Sequence, residues 1–308
     1  MKANAILSGI LLFVLLVFSI YAQQDDFPVL KGPYLGQKPP GMEPEIFAPG
    51  IISTERNELN AAFSPDGKSF YFAIRTANDG YSIWFTCEKE NGWTKPRPAP
   101  FNSAYSDVDM CFSPDGKRLY FGSTRPIHDG DSPASDFHIW YVEKQVNGWS
   151  LARYLDSPVN SGKRALYPTF AKNGTMYFQG QYPGGFGKAD IYRSRWINNS
   201  FAKPENLGRV INSDFHEGDV LIAPDESYLI VNTKRPNGFG KGDIFISFQK
   251  DDGSWTPLIN MGKPINSSGT DYCPMLSPDG KYFLFTSTRS GNGDIYWVSA
   301  KIIKTYKP

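Results

Sequence analysis

The pentapeptide "SPDGK" stands at 64–68, 113–117 and 277–281, and weaker copies occupy 171–175 ("AKNGT") and 223–227 ("APDES"). Self-similarity at a spacing of about fifty residues restricts the fold more than any other feature of this chain. Each repeat is one unit that cannot bury its apolar face alone and must pack against its neighbours. The units share one internal order. A short run such as "DVDMCF" alternates apolar and polar residues, as a half-buried strand does. The turn follows, in which Pro sets φ, Asp bonds back to the backbone and Gly supplies positive φ. An aromatic-rich strand comes next ("FYFAI", "LYFGS", "MYFQG", "LIVNT", "FLFTS"), then a loop rich in Gly or Asp. A third strand follows ("SIWFT", "HIWYV", "DIYRS", "DIFIS", "DIYWV"), and then an aromatic turn.

Four units end in a Pro-interrupted segment: "TKPRPAP", "SLARYLD", "AKPENLG" or "TPLINMG". Proline lacks the ladder donor and belongs at a sheet edge. The fifth unit lacks this segment, and "EPEIFAPGIIS" at 43–53 supplies a similar one ahead of the first repeat. The spacing and the displaced strand predict an all-β fold: a β-propeller of four-stranded blades, five in number. The ring closes where the N-terminal strand joins the last blade.

The pattern FSPDGK-x-LYF-x-STR…DIW resembles the WD40-like propeller repeats of TolB and its relatives, over roughly residues 45–300. TolB-type propellers usually have six blades, and only five are countable here. The resemblance implies a propeller and says little of activity, because its relatives include periplasmic scaffolds, domains fused to peptidoglycan-binding modules, propeller domains of peptidases and some sugar-processing lyases.

At the N-terminus, Lys2 precedes an almost wholly apolar run over 5–20, and Ala22 offers a small residue for cleavage. This is the layout of a secretory signal peptide over 1–22, with an uncleaved anchor as the alternative. Residues 23–42 are Pro-rich and read as a linker or a strap over one face, and 43–308 as the propeller. The expected location is secreted or periplasmic, after cleavage near Ala22, with no membrane span in the mature chain. Net charge is +1 with both signs mixed, which argues against nucleic acid as a partner. Cys87, Cys111 and Cys273 form no disulfide framework and fit no zinc spacing. They read as buried thiols, with a Cys111–Cys273 bridge as the alternative.

In a propeller the innermost strands line a central channel. Seven residues before the turn proline stand Glu58, Asp107, Glu217 and Asp271. Two residues further on, along the same strand face, are Asn60, Asp109, Asp219 and Cys273. The third unit has Ala165 and Tyr167 instead. Six carboxylates, of Glu58, Asp107, Asp109, Glu217, Asp219 and Asp271, are therefore expected to bind ligand at the channel mouth. They suit a cationic group, or a bound cation such as Ca²⁺; no other cofactor is indicated. The competing reading is structural. Arg75, Arg125, Arg235 and Arg289 follow the second strand of the same four units, and the unit that lacks the arginine also lacks the acid. That joint absence points to acid–arginine pairs.

The third unit also brings Lys163 and Arg164, opposite His216. Tyr167, His216 and Arg164 are the candidate catalytic group, able to bind an acidic sugar or move a proton next to its carboxylate. The alternative is that Tyr167 packs on a neighbour. "PGGFGKAD" and "PNGFGKGD" resemble phosphate loops without the helix such a loop needs, and read as turns. His128 and His138, with Asp129, Asp131 and Asp136, mark a long loop that reads as a surface insertion or a metal site. Trp93, Trp149 and Trp255 read as blade-packing residues before sugar-stacking ones. The expected function is an exported, non-catalytic binding or scaffold propeller recognising an envelope protein or polysaccharide. The alternative is a polysaccharide lyase or glycoside hydrolase.

Overall fold

The computed structural model describes residues 27–128, 130–236 and 238–307. Five antiparallel sheets are arranged as blades. From the axis outwards, the first blade runs Glu58–Phe63, Ser69–Arg75, Tyr81–Lys89 and Arg97–Pro98. The next three begin at Asp107–Phe112, Arg164–Phe170 and Glu217–Ile222 and repeat the same order. The fifth runs Asp271–Leu276, Tyr282–Ser287 and Asp294–Ser299, and its outer strand is Glu45–Ile46 from the other end of the chain. Glu45 pairs with Trp297 and Ile46 with Tyr296. The expected five-bladed all-β ring, closed by its first strand, is thus observed.

Turn chemistry fixes each inner hairpin. Ser64, Ser113 and Ser277 donate from Oγ to Asp66, Asp115 and Asp279 at 2.5, 2.7 and 2.7 Å. The last turn residues, Gly67, Gly116 and Gly280, sit at φ +69, +68 and +68. In "APDES" the same place falls to Glu226 at φ +60, a conformation that costs a non-glycine residue about 1–2 kcal/mol.

A second repeated device was not read from the sequence. Asn102, Asn160, Asn212 and Asn266 each clamp the buried isoleucine of the third strand. Their Oδ1 atoms accept from the N–H of Ile83, Ile139, Ile191 and Ile244 at 2.7–3.0 Å, and their Nδ2 atoms donate to the same residues' carbonyls. In the fifth blade Ser53 takes this place against Ile295. The clamp satisfies edge groups of the third strand beyond the two-residue outer strand, where an unpaired buried amide would be costly.

Residues 30–41 run along the side that carries the SPDG turns, while Phe27 and Pro28 reach towards Thr54 and Arg56 at the other end of the first inner strand. Leu30 and Gly32 carbonyls accept from Trp93 N and Nε1, both at 2.8 Å. The Tyr34 ring lies against Phe63, Tyr282 and Trp297. Gln37 holds the closing strand with both ends of its amide, donating to Ile46 O and accepting from Ala48 N. The signal-peptide expectation, residues 1–22, lies outside the described residues. No described helix is long and apolar enough to cross a membrane.

Candidate functional site at the channel mouth

Every inner strand carries a bulge at the same place. Pairing shifts between Leu59 and Ala61, Val108 and Cys111, Leu166 and Thr169, Glu217 and Val220, and Tyr272 and Met275. Asn60, Asp109, Tyr167 and Cys273 sit there at φ +53 to +56. Such a residue in the left-handed region stores about 1–3 kcal/mol of strain. The bulge re-aims its side chain, and here the re-aimed residues, with Asp219, form a ring about the axis. The ring divides the channel into two mouths.

The mouth at the SPDG turns is a cavity of about 350 Å³ lined by Phe63, Phe112, Phe170, Leu276 and turn prolines. The opposite mouth is a pocket of about 340 Å³ to which all five blades contribute. Tyr81 and Tyr272 line it on the side of blades one and five, Arg164, Gln179, His216 and Lys234 on the side of blades three and four, and Asp109, Asp219 and Cys273 at its base.

The sequence-predicted residues divide between two places. Asp109 and Asp219 line the pocket. Glu58, Asp107, Glu217 and Asp271 do not: they are at most 1 % exposed and lie beneath the loop that leads into each inner strand. There each accepts from the backbone N–H and hydroxyl of the residue four before it, namely Thr54, Ser103, Ser213 and Ser267. Arg125, Arg235 and Arg289 complete the arrangement on Asp107, Glu217 and Asp271 at 2.7, 3.3 and 3.1 Å. Arg75 departs from the pattern and pairs with exposed Asp79. Glu58 therefore forms no ion pair with an arginine among the described residues, and burial raises its carboxyl above the ordinary value, against hydrogen bonds from Thr54 and a weaker pull from Arg56. Placing these four acids at the pocket is corrected by their burial. A signal in the sequence is the "NS" before Asp107, Glu217 and Asp271 ("FNSAYSD", "INSDFHE", "INSSGTD"), replaced by "ST" before Glu58, which supplies both the clamp and the hydroxyl.

Of the candidate catalytic group, Arg164 and His216 line the pocket and Tyr167 does not. Tyr167 is 1 % exposed, and its hydroxyl donates to Pro274 O at 3.0 Å. His216 Nε2 lies 2.9 Å from Gln179 Nε2. Burial lowers the His216 pKa, and the positive charges of Arg164, Lys234 and Lys188 add to this, so the ring is neutral at neutral pH. Tyrosine and histidine have separate partners and share no hydrogen bond among the described residues.

The acid pair is the unusual element. Asp109 is 5 % exposed, and no hydrogen bond to its carboxyl is formed among the described residues. Burial pushes its carboxyl well above the ordinary value, and the Asp219 charge pushes it further, against an opposing pull from Arg164. Asp219 is also raised, by burial, though Cys273 N donates to it at 2.9 Å. Two neighbouring buried carboxyls of this kind cannot both ionise cheaply.

This pair gives a pH prediction. The folded pKa of Asp109 lies above its unfolded value, so its stabilising contribution is full below the unfolded pKa and is lost as pH rises through the folded one. Asp109→Asn keeps the neutral form at every pH. Its melting temperature should match the parent near about pH 4 and exceed it increasingly towards about pH 8, by about 2–4 °C for each kcal/mol relieved. A constant difference across pH, read by scanning calorimetry, would show that Asp109 ionises freely in the fold.

The remaining candidates are accounted for locally. Asp190 and Asp243 consume the loop amides of Phe186, Gly187, Phe239 and Gly240, so "PGGFGKAD" and "PNGFGKGD" are closed turns. Trp93 and Trp255 are buried, and Trp149 donates to Tyr71 Oη at 2.9 Å, which places all three in blade packing. Asp136 pairs with Arg164, His128 is exposed, and Asp129 lies outside the described residues. Lys163 donates its backbone N–H to Gln181 O. No cluster of three or more metal-ligating side chains occurs among the described residues. Cys87, Cys111 and Cys273 are free thiols.

No protein-family model and no curated protein matches the chain. Solved structures do. A structure from Agrobacterium tumefaciens assigned to TolB is 17 % identical, covering 77 % of this chain and 72 % of that one, with a TM-score of 0.51. TolB from Acinetobacter baumannii is 15 % identical, covering 80 % and 55 %, with a TM-score of 0.51. The chain thus spans about half the length of the Acinetobacter protein. The catalytic domain of a Coprinopsis cinerea GH62 α-L-arabinofuranosidase is 12 % identical, covering 84 % and 97 %, with a TM-score of 0.50. At such identities the likeness is one of fold alone. The chain is a five-bladed β-propeller whose fold is similar to that of TolB.

Proposed function

We propose that this protein is an exported recognition module that holds a polar group of an envelope protein or polysaccharide in the pocket at the mouth lined by Asp109 and Asp219. The observation that carries this reading is the lining itself. Hydrogen-bonding and aromatic side chains from five blades converge on one concave site, the ordinary character of a ligand pocket. A non-catalytic role fits the separate engagements of Tyr167 and His216. The resident ligand of such a module need not be altered, so binding and turnover separate the two functions. The chain from residue 23 onwards is titrated with alginate, polygalacturonate, arabinan and short peptides, followed by thermal shift and by assay for new reducing or unsaturated ends. A shift of several degrees that Gln179→Ala and Asp219→Asn abolish, without new ends, is the expected result. New chain ends would replace this reading with the lyase or hydrolase one.

A further inference from the structure

We propose that the group held in this pocket is the zwitterionic head of an α-amino acid, its ammonium on Asp109 and Asp219 and its carboxylate on Arg164 and Lys234. The inference rests on the pocket being the ligand site and goes beyond that reading by making the occupant a small molecule.

Polarity across the cavity is the starting point. Acceptors lie at its base. Asp109 is buried, reaches the cavity and has no hydrogen-bond partner among the described residues. Beside it in the ring, Asn60 is 1 % exposed and its Oδ1 has no partner. Asp219 has one backbone donor, from Cys273. A buried carboxyl without a hydrogen-bond partner beside a second carboxyl in the lining favours a ligand rich in N–H, and an ammonium supplies three. It also offsets the burial and the Asp219 charge that raise the Asp109 carboxyl. The titratable groups facing Asp109 are Asp219, Arg164, Tyr81, Tyr167, Tyr272 and Cys273, and Arg164 alone among them is cationic.

Cations lie on the other side. Arg164 gives Nη1 to Asp136 at 3.1 Å, while its Nε is buried without a partner. Lys234 lines the same wall and forms no ion pair among the described residues. Lys188 adds to the positive field there. An anionic group is therefore favoured on this wall and a cationic one at the base. The two poles share a pocket of about 340 Å³, so a small molecule must carry both charges close together. An α-amino acid does so. Tyr81, Tyr272, Phe137, Leu59 and Leu166 also line the pocket and offer apolar surface to a side chain.

The test uses the chain from residue 23 onwards with free L- and D-amino acids as probes, by calorimetric titration. The tightest binder is then compared with its N-acetyl derivative and its methyl ester. Each blocked form should bind at least tenfold more weakly, and Asp219→Asn should lose the discrimination against N-acetylation while Arg164→Gln loses that against the ester. Binding of polygalacturonate, arabinan or alginate with no response to any amino acid would overturn this inference and leave the pocket reading intact. Equal binding of the free and blocked forms would also overturn it. No response to any probe would overturn both.

Discussion

Phe47→Ala lowers the unfolding temperature by on the order of 10 °C. The residue follows the closing strand, is fully buried, and packs its ring on Phe63, Phe70 and Trp297 at centroid distances of 5.9, 5.0 and 5.2 Å. These partners belong to blades one and five. Truncation therefore opens a cavity at the seam where the two ends of the chain meet. A large-to-small change of this kind costs about 3–5 kcal/mol, and each kcal/mol is worth about 2–4 °C in a domain of this size. Leu151→Ala, on an 89 % exposed side chain, is the control and should shift the midpoint by less than about 1 °C. Equal shifts for the two, measured by denaturation, would mean that the seam contributes nothing special.

Asp271→Ala has a comparable effect by a different route. Its carboxylate accepts from Ser267 N and Oγ, Ser287 Oγ and Arg289 Nη2. Removing it strands these donors and a mostly buried guanidinium, which costs about 3–5 kcal/mol. Arg289 also donates to the Pro264 and Ile265 carbonyls, so Arg289→Ala is damaging on its own. The double change should destabilise by less than the sum of the two, with a coupling of about 1–3 kcal/mol. Arg75→Ala gives the contrast. Its partner Asp79 is 84 % exposed in its side chain, and a pair of that kind is worth less than about 1 kcal/mol. Strict additivity for Asp271 and Arg289 would sink the pairing as an energetic unit.

The architecture was legible because it repeats. Turn prolines and glycines at near-constant spacing, and a displaced Pro-rich segment, were enough to place five blades and the closing strand. The acids were harder to place. Asp107 and Asp109 lie on one strand two residues apart, and simple alternation sends both to one face. The bulge between Val108 and Cys111 breaks that alternation. Asp109 turns to the axis while Asp107 stays under its loop. Nothing in "DVDMCF" announces a bulge, since the residue at φ +56 is an aspartate and not a glycine. Arginine pairing was legible for Arg125, Arg235 and Arg289 from the joint absence in the third unit. It was not for Arg75, whose loop offers Asp79 four residues on. The meeting of Tyr167 with His216 could not be judged from spacing, because the Pro274 carbonyl that takes the tyrosine proton belongs to a different blade.

The latch has a consequence for how this chain acquires its shape. Glu45 and Trp297 are register partners, yet one is synthesised long before the other. Four sheets can assemble as they emerge, while the fifth waits with an unmatched margin until its missing member returns from the opposite terminus. Circular permutation should relocate that wait. Tethering residue 307 to residue 41 and cutting the chain between 102 and 103 would make the last-made sheet the first, and refolding would then be limited by a different gap in the ring.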